Sequence, residues 1–113
     1  MKVLVVHRQS SVLEVIKTQL GHWYVRPASN GLDGLLAARM ERFDMILCGI
    51  DLPVVTGIEM VRSIRNFSLN KSTPIILLAE GTETEEHERL INMLDANLLT
   101  MEEVAEMKNL EIE

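Results

Sequence analysis

Short apolar runs alternate along the whole chain with longer stretches in which apolar residues recur every three or four positions. Lys2–Val6 is a compact β-branched run, the pattern of a strand buried on both faces. Ser10-Ser11 offers a helix cap. Val12, Ile16 and Leu20 follow at helical spacing with Val15 and Gln19 beside them, and Gly21 is placed to end that helix. Trp23–Ala28 reads as a second strand, and Pro27 within it points to a sheet edge. Asn30 caps a second helix, whose core face is expected to be Leu32, Leu35, Leu36, Arg39 or Met40, and Phe43. Asp44–Ile50 reads as the third strand. The Pro- and Gly-punctuated loop Leu52–Gly57 follows, and then a helical stripe of Ile58, Val61, Ile64 and Arg65. Pro74–Ala79 is a fourth strand, entered through Ser72-Thr73. Thr82 or Thr84 caps a fourth helix, with acids in its first turn where the macrodipole favours them and Leu90, Ile91, Met93 and Leu94 as its apolar face. Asn97–Thr100 is a short fifth strand. Met101–Ile112 is a fifth helix with Val104, Ala105 and Lys108 on one side.

Five such units predict one α/β domain over residues 1–113, a doubly wound five-stranded parallel sheet with helices on both faces. Ligands of such sheets sit at the carboxyl ends of the strands. The informative residues are therefore His7-Arg8, Gly49-Ile50-Asp51, Ala79-Glu80 and Thr100-Met101.

Composition changes this picture by exclusion. With 113 residues, 47% apolar and 25% charged, the chain has the material for a packed core, which excludes disordered and collagen-like classes. A single cysteine excludes a disulfide framework and a multi-cysteine metal site. No apolar run approaches the ~18 residues that span a bilayer. The apolar run after Lys2 is too short for a signal peptide, so a cytoplasmic location without membrane attachment is expected. Charge is segregated: residues 80–113 carry eleven acidic and two basic side chains, residues 1–79 six and nine, for an overall net charge of −6. An acidic C-terminal third argues against direct nucleic-acid binding, which needs Lys and Arg to neutralise phosphates. It is either a solvated face or a docking surface for a basic protein.

Several segments carry a more specific signal: V-L-V-V at the start, A-S-N-G-L-D-G-L-L-A-A into the second helix, D-M-I-L-C-G-I-D-L-P-V-V-T-G-I-E-M-V-R-S-I-R, and T-P-I-I-L-L-A. In these residues and their order the whole chain resembles the receiver domain of two-component response regulators, the CheY-like family. The segment L-P-V-V-T-G-I-E is the most specific match. The resemblance implies a flavodoxin-like (βα)5 fold with strand order 2-1-3-4-5 and a role in phosphorelay signalling. The family's chemistry uses two acids after strand one to hold Mg²⁺, an aspartate ending strand three as phosphoryl acceptor, a Thr or Ser after strand four, and a Lys after strand five. Carried onto this chain, the acid pair falls on His7 and Arg8. The acceptor, four residues before the loop proline, falls on Gly49, and the hydroxyl position falls on Ala79. Leu98-Leu99-Thr100 runs directly into Met101-Glu102-Glu103, and no lysine lies between Lys71 and Lys108.

The chemistry of those residues leads to the same expectation. Glycine offers no oxygen nucleophile, and Mg²⁺ demands hard oxygen ligands. The chain therefore reads as a degenerate pseudo-receiver: no enzyme, no cofactor, no metal, and a vestigial pocket of His7, Arg8, Gly49, Asp51 and Ala79. Its role would be phosphorylation-independent protein binding. Family members bind partners and dimerise through the face made by helix four, strand five and helix five. Here that face would carry Glu83, Glu85, Glu86, Glu88, Glu102, Glu103 and Glu106, suited to a basic protein or, in a homodimer, to a second copy. Arg8 could fill the empty cation position and pair with Asp51. Two alternatives stay open. The pocket could still respond to a small ligand or to phosphorylation at Asp51, or Cys48 and His7 could form a nucleophilic pair on the same fold. His22 and His87 read as surface or helix-end residues. The absence of G-x-G-x-x-G and Walker A signatures removes nucleotide readings.

Overall fold

The computed structural model describes the backbone of residues 1–112 and the side chains of residues 1–106. Its elements are β1 (Lys2–Val6), α1 (Ser10–Gln19), β2 (Tyr24–Ala28), α2 (Gly31–Met40), β3 (Met45–Cys48), α3 (Gly57–Phe67), β4 (Ile75–Leu78), α4 (Glu85–Met93), β5 (Asn97–Leu99) and α5 (Met101–Ile112). The strands form one parallel sheet in the order β2-β1-β3-β4-β5. Side chains alternate across it. Leu4, Val6, Ile46, Cys48, Ile75 and Leu77 face one core with α2, α3 and α4, while Val3, Val5, Met45, Leu47, Ile76 and Leu78 face a second core with α1 and Val104 of α5. Burial on both faces accounts for the unbroken apolar runs of β1, β3 and β4. Pro27 sits on the edge strand, where its missing N–H breaks no ladder.

Several local expectations are corrected. The cap of α1 is Gln9, not Ser10 or Ser11: its carbonyl accepts from the Val12 and Leu13 amides, and Ser10 is already helical. Gly21 is not a left-handed terminator; α1 closes at Leu20, whose N–H reaches the Ile16 carbonyl. β1 has the expected bounds, while β2, β3, β4 and β5 are shorter than the runs that predict them, β3 stopping at Cys48. The largest difference is in α2. Its buried residues are Gly31, Gly34, Leu35, Ala37 and Ala38, whereas Leu32, Leu36 and Met40 are exposed. A Cβ on Gly34 would lie 2.7 Å from Val6 Cγ2 and 2.8 Å from Met60 Sδ, so at that point the helix approaches the sheet too closely for any side chain, while Leu35 is the one large residue expected on this face that is buried within the helix. Phe43 is buried, but in the loop beyond α2. On α4, Thr84 and not Thr82 is the cap, and Met93 is exposed while Ile91 is buried. The expected place of Lys108 on α5 lies outside the described side chains.

The amino ends of the strands are fastened by two polar side chains. Buried Asn70 accepts from the Phe43 amide (2.8 Å) and the Thr73 hydroxyl (2.9 Å) and donates to the carbonyls of Ala38 (2.6 Å) and Glu41 (2.7 Å). The Arg65 guanidinium donates to the carbonyls of Leu94 (2.8 Å), Asp95 (2.8 Å), Thr73 (2.7 Å) and Lys71 (3.0 Å), tying α3 to the end of α4 and the entry of β4. Asp95 takes the left-handed conformation (φ 54°) that lets the chain leave α4 for β5, a conformation Asp tolerates.

Candidate functional site

Of the residues singled out at the carboxyl ends of the strands, His7, Arg8, Gly49, Ile50, Asp51 and Glu80 come together in one region, whereas Thr100 caps α5 with Glu103 and Met101 packs against the core under α1. Extending β1, His7 donates its backbone N–H to the Ala28 carbonyl (3.0 Å); extending β3, Gly49 donates to the Val6 carbonyl (2.9 Å). His7 and Gly49 are thereby carried one step beyond the registered pair Val6–Cys48. His7 is 5% exposed. A Cβ placed on Gly49 would meet its ring, 3.1 Å from Cδ2 and 3.5 Å from Nε2, so the imidazole packs tightly over the position from which a side chain at 49 would start. Gly57 lies against the same turn: a Cβ there would be 2.1 Å from the Gly49 carbonyl oxygen, so only glycine lets α3 begin so close to β3. Thr56 caps α3 by accepting from the Glu59 amide. Next to it, Val54 holds a left-handed backbone (φ 73°), an uncommon conformation for a β-branched residue.

The imidazole has two defined neighbours. Nδ1 accepts from the Gln9 amide at 3.1 Å, which places the ring hydrogen of the neutral form on Nε2. Nε2 faces Glu80 Oε1 at 3.8 Å. Burial lowers the His7 pKa below its ordinary 6.5; the Glu80 carboxylate opposes this, Arg8 reinforces it, and the balance stays low. Arg8 points outward, its Nε 3.7 Å from Asp51 Oδ2, with both side chains largely in solvent (45% and 76% exposed). Asp51 lies on a bend past the end of β3, not on a continuation of the strand. Ala79 is half-buried and donates its amide to the Leu99 carbonyl.

A cleft of about 500 Å³ opens beside these residues, lined in part by Arg8, Asp51, Thr56, Glu80, Glu83 and His87. Glu80 is among the informative strand-end residues, though without an assigned role, whereas His87 reads from sequence only as a surface or helix-end residue. Glu80 directly follows the expected Ala79, and the chain's reversal after β4 turns it toward His7. His87 closes the N-terminus of α4 with Thr84: the Thr84 hydroxyl accepts from the His87 amide (3.1 Å) and His87 Nδ1 accepts from the Thr84 amide (3.3 Å). Glu83 is turned inward, its carboxylate accepting from the amides of Gly81 (3.0 Å) and Glu80. Burial pushes its pKa up, but those backbone bonds outweigh it and hold the group below the usual range. Of the other acids assigned to the partner face, Glu103 is engaged in capping α5, accepting from the Thr100 amide at 3.0 Å. Glu85, Glu86, Glu88, Glu102 and Glu106 are exposed. Cys48 is fully buried on β3, and burial pushes its thiol up to about 12. Among the described residues no three His, Cys, Asp or Glu side chains cluster as metal ligands. No helix there is long and apolar enough to cross a membrane.

Comparison with known proteins agrees with this geometry. Residues 3–101 match the response regulator receiver domain family. The response regulator ArlR of Staphylococcus saprophyticus is 32% identical over 85 residues, covering 74% of this chain; the chain spans only 37% of that protein's length. The chemotaxis response regulator CheY4 of Vibrio cholerae superposes with a TM-score of 0.83 at 30% identity, over 97% of this chain and 95% of that one. The receiver domain of sensor histidine kinase PA1611 from Pseudomonas aeruginosa, solved with a magnesium ion coordinated in its active-site cleft, superposes with a TM-score of 0.77 at 25% identity, over 96% and 92% of the two chains. With sheet order, helix placement and sequence all in agreement, this chain belongs to the response regulator receiver domain family of signal-transduction proteins.

Proposed function

We propose that this receiver domain works as a protein-binding module whose state is not set by phosphoryl transfer, with residues 1–113 as one unit in the cytoplasm. The observation that carries the reading is the end of β3: Gly49 offers no side chain, and the imidazole of His7 packs so closely that a Cβ there would lie 3.1 Å from its Cδ2. An aspartyl phosphate needs an oxygen nucleophile at that point. The companion positions support the same reading. Where the family resemblance puts two acids, His7 is a buried nitrogen donor and Arg8 a fixed positive charge, so these residues do not fit a magnesium ion. Ala79 carries no hydroxyl, and no lysine follows β5 before Lys108. The domain is accordingly read as a non-enzyme without a cofactor. A cysteine nucleophile has no support either, since the Cys48 thiol is buried and its pKa raised to about 12.

The test is incubation with acetyl phosphate and Mg²⁺, followed by intact mass. We expect no adduct. A stoichiometric phosphoryl adduct overturns the reading, and its loss in Asp51→Asn would transfer the acceptor role to that exposed carboxylate.

The partner surface in this proposal is the acidic face of α4 and α5. Glu85, Glu86, Glu88, Glu102 and Glu106 are its free carboxylates, while Glu83 and Glu103 bond to backbone beside them. A basic protein is the complementary occupant, and phosphate-bearing nucleic acid is the least suitable. A homodimer through the α4-β5-α5 face would bring like charges together, which places it second. Glu85→Lys/Glu86→Lys should abolish capture of the partner in a pull-down from the native cell.

A further inference from the structure

The imidazole of His7 joins two parts of the site, and only its neutral form fits both contacts as they stand. Nδ1 accepts the Gln9 N–H ahead of α1, and Nε2 faces Glu80 at the start of the β4–α4 connection. A protonated ring carries hydrogen on both nitrogens. Nδ1–H would then confront the Gln9 N–H, donor against donor, and Nε2–H would become a charged donor toward a carboxylate. At 3.8 Å that second contact is too long for a hydrogen bond, so closing it requires Glu80 to move. Such a movement pulls on the Glu80 and Gly81 amides that the Glu83 carboxylate holds. Gly81, the next residue, adopts φ 87° with nothing within 4 Å of the position a side chain would take. Every charged or titratable group near the ring can be named. Glu80 faces it from the β4–α4 connection. Arg8 adjoins it on its own strand end but is directed to Asp51 on the β3–α3 loop. Glu83 is held on the Gly81 and Glu80 amides, and His87 on α4 closes the connection at Thr84. On the Gly49 side the ring lies against a residue without a side chain, and the charges that act on it are those of Glu80 and Arg8.

Resting on the reading of a receiver without a phosphoryl acceptor, we propose that His7 is the input element of this domain: a proton taken up by its ring releases the Gln9 amide at the head of α1 and draws Glu80 onto Nε2, shifting the connection that leads into the acidic helix α4. The same position in the fold that would read a phosphoryl group thus reads a proton, and the readout reaches the proposed partner face. Burial disfavours the charged ring and Glu80 favours it, which sets the transition below the ordinary histidine range.

The test is a backbone amide NMR titration of the full chain from about pH 7.5 to about 5.5, followed together with the His7 ring itself. The amides of Glu80, Gly81, Thr82 and Glu83 should shift with one midpoint, equal to that of the His7 ring. Those shifts should vanish in His7→Asn and persist in His87→Gln. Glu80→Gln leaves β1 untouched and keeps the proposal testable should His7→Asn fail to fold; it should move the His7 midpoint to lower pH. Loop amides that stay fixed while the ring titrates, or a His7 midpoint unmoved in Glu80→Gln, overturn the proposal. A phosphoryl adduct in the mass experiment would instead remove the acceptor-less reading while leaving these titration curves as measured.

Discussion

At the amino ends of the strands, Asn70 and Arg65 spend nearly every donor and acceptor on backbone groups at 2.6–3.0 Å. At the carboxyl ends, the Glu83 carboxylate bonds to the Glu80 and Gly81 amides, but the contacts between charged side chains are an ion pair at 3.7 Å and a His–Glu approach at 3.8 Å. The first set joins α2, α3, α4 and the entries to β3 and β4; its Asn70 bonds to the Phe43 amide and the Ala38 carbonyl are buried, while those of Arg65 to Lys71 and Asp95 are exposed. The second set lies around an open cleft. Hydrogen bonds to buried backbone groups are costly to leave unmade, whereas exposed ion pairs contribute little. Stability is therefore concentrated at one end of the sheet, and the end where receivers carry their chemistry is left free to change. The difference predicts a graded set of responses.

The largest effect belongs to Asn70→Ala. It leaves the Phe43 amide and the Ala38 carbonyl without partners in the core, and should lower stability by about 3 kcal/mol, read as a fall in the urea midpoint at unchanged slope. A loss no greater than that of an exposed substitution would show that the fastened end is not fastened by this residue.

Next comes the packing of His7 on Gly49. Gly49 does not use a left-handed backbone, so alanine is conformationally allowed there and would restrict the unfolded chain. In the wild-type background its Cβ presses on His7 Cδ2 at 3.1 Å, and Gly49→Ala should cost about 1 kcal/mol. In a His7→Ala background the obstruction is gone, and the same substitution should stabilise by about 0.5 kcal/mol. The reversal of sign in a double-mutant cycle is the expected result. Equal effects in both backgrounds would separate the two residues.

The legibility of the molecule divides along the same line. β1, β3 and β4 were readable because burial on both faces leaves uninterrupted apolar runs, and Pro27 marked the edge strand. The inner face of α2 is read correctly at Leu35, but elsewhere size is taken for burial: close approach to Val6 and Met60 at Gly34 gives Gly31, Gly34, Ala37 and Ala38 the remaining inner positions, and Leu32, Leu36 and Met40 are exposed. At the site, motif offsets located His7, Arg8, Gly49, Asp51 and Ala79. They did not reveal that His7 and Gly49 are complementary in volume, because that depends on the β1–β3 register, in which both extend the Val6–Cys48 pair. A large residue and a glycine at matched strand ends was the available signal. Glu80 and His87 depend on the course of the chain after β4, which no periodicity encodes.

The third response is to pH. In the folded state the His7 pKa lies below 6.5, so the unfolded chain takes up a proton at higher pH than the folded one. Its contribution to stability is complete above the unfolded value and declines as pH falls from there to the folded value, below which it is constant. Wild-type stability should therefore drop between neutral and mildly acidic pH by more than that of His7→Asn. Parallel curves for the two proteins would mean that the buried ring titrates as it does in the unfolded chain.

The smallest response is expected of Arg8. A fixed cation at the mouth of the cleft suggests a clamp on Asp51, but the geometry is that of a surface pair. The nitrogen is Nε at 3.7 Å, no bidentate contact forms, and both side chains are well exposed. Solvent screening and the entropy of two long side chains leave such pairs within about 0.5 kcal/mol of zero. Arg8→Ala should consequently leave the urea midpoint nearly unchanged, and raising the salt concentration should not separate it from wild type. Its effect should appear at His7 instead, where removing the positive charge eases protonation and moves the ring's titration upward. A loss of stability above about 1 kcal/mol would make the Arg8–Asp51 pair a structural tie and erase the contrast between the two ends of the sheet.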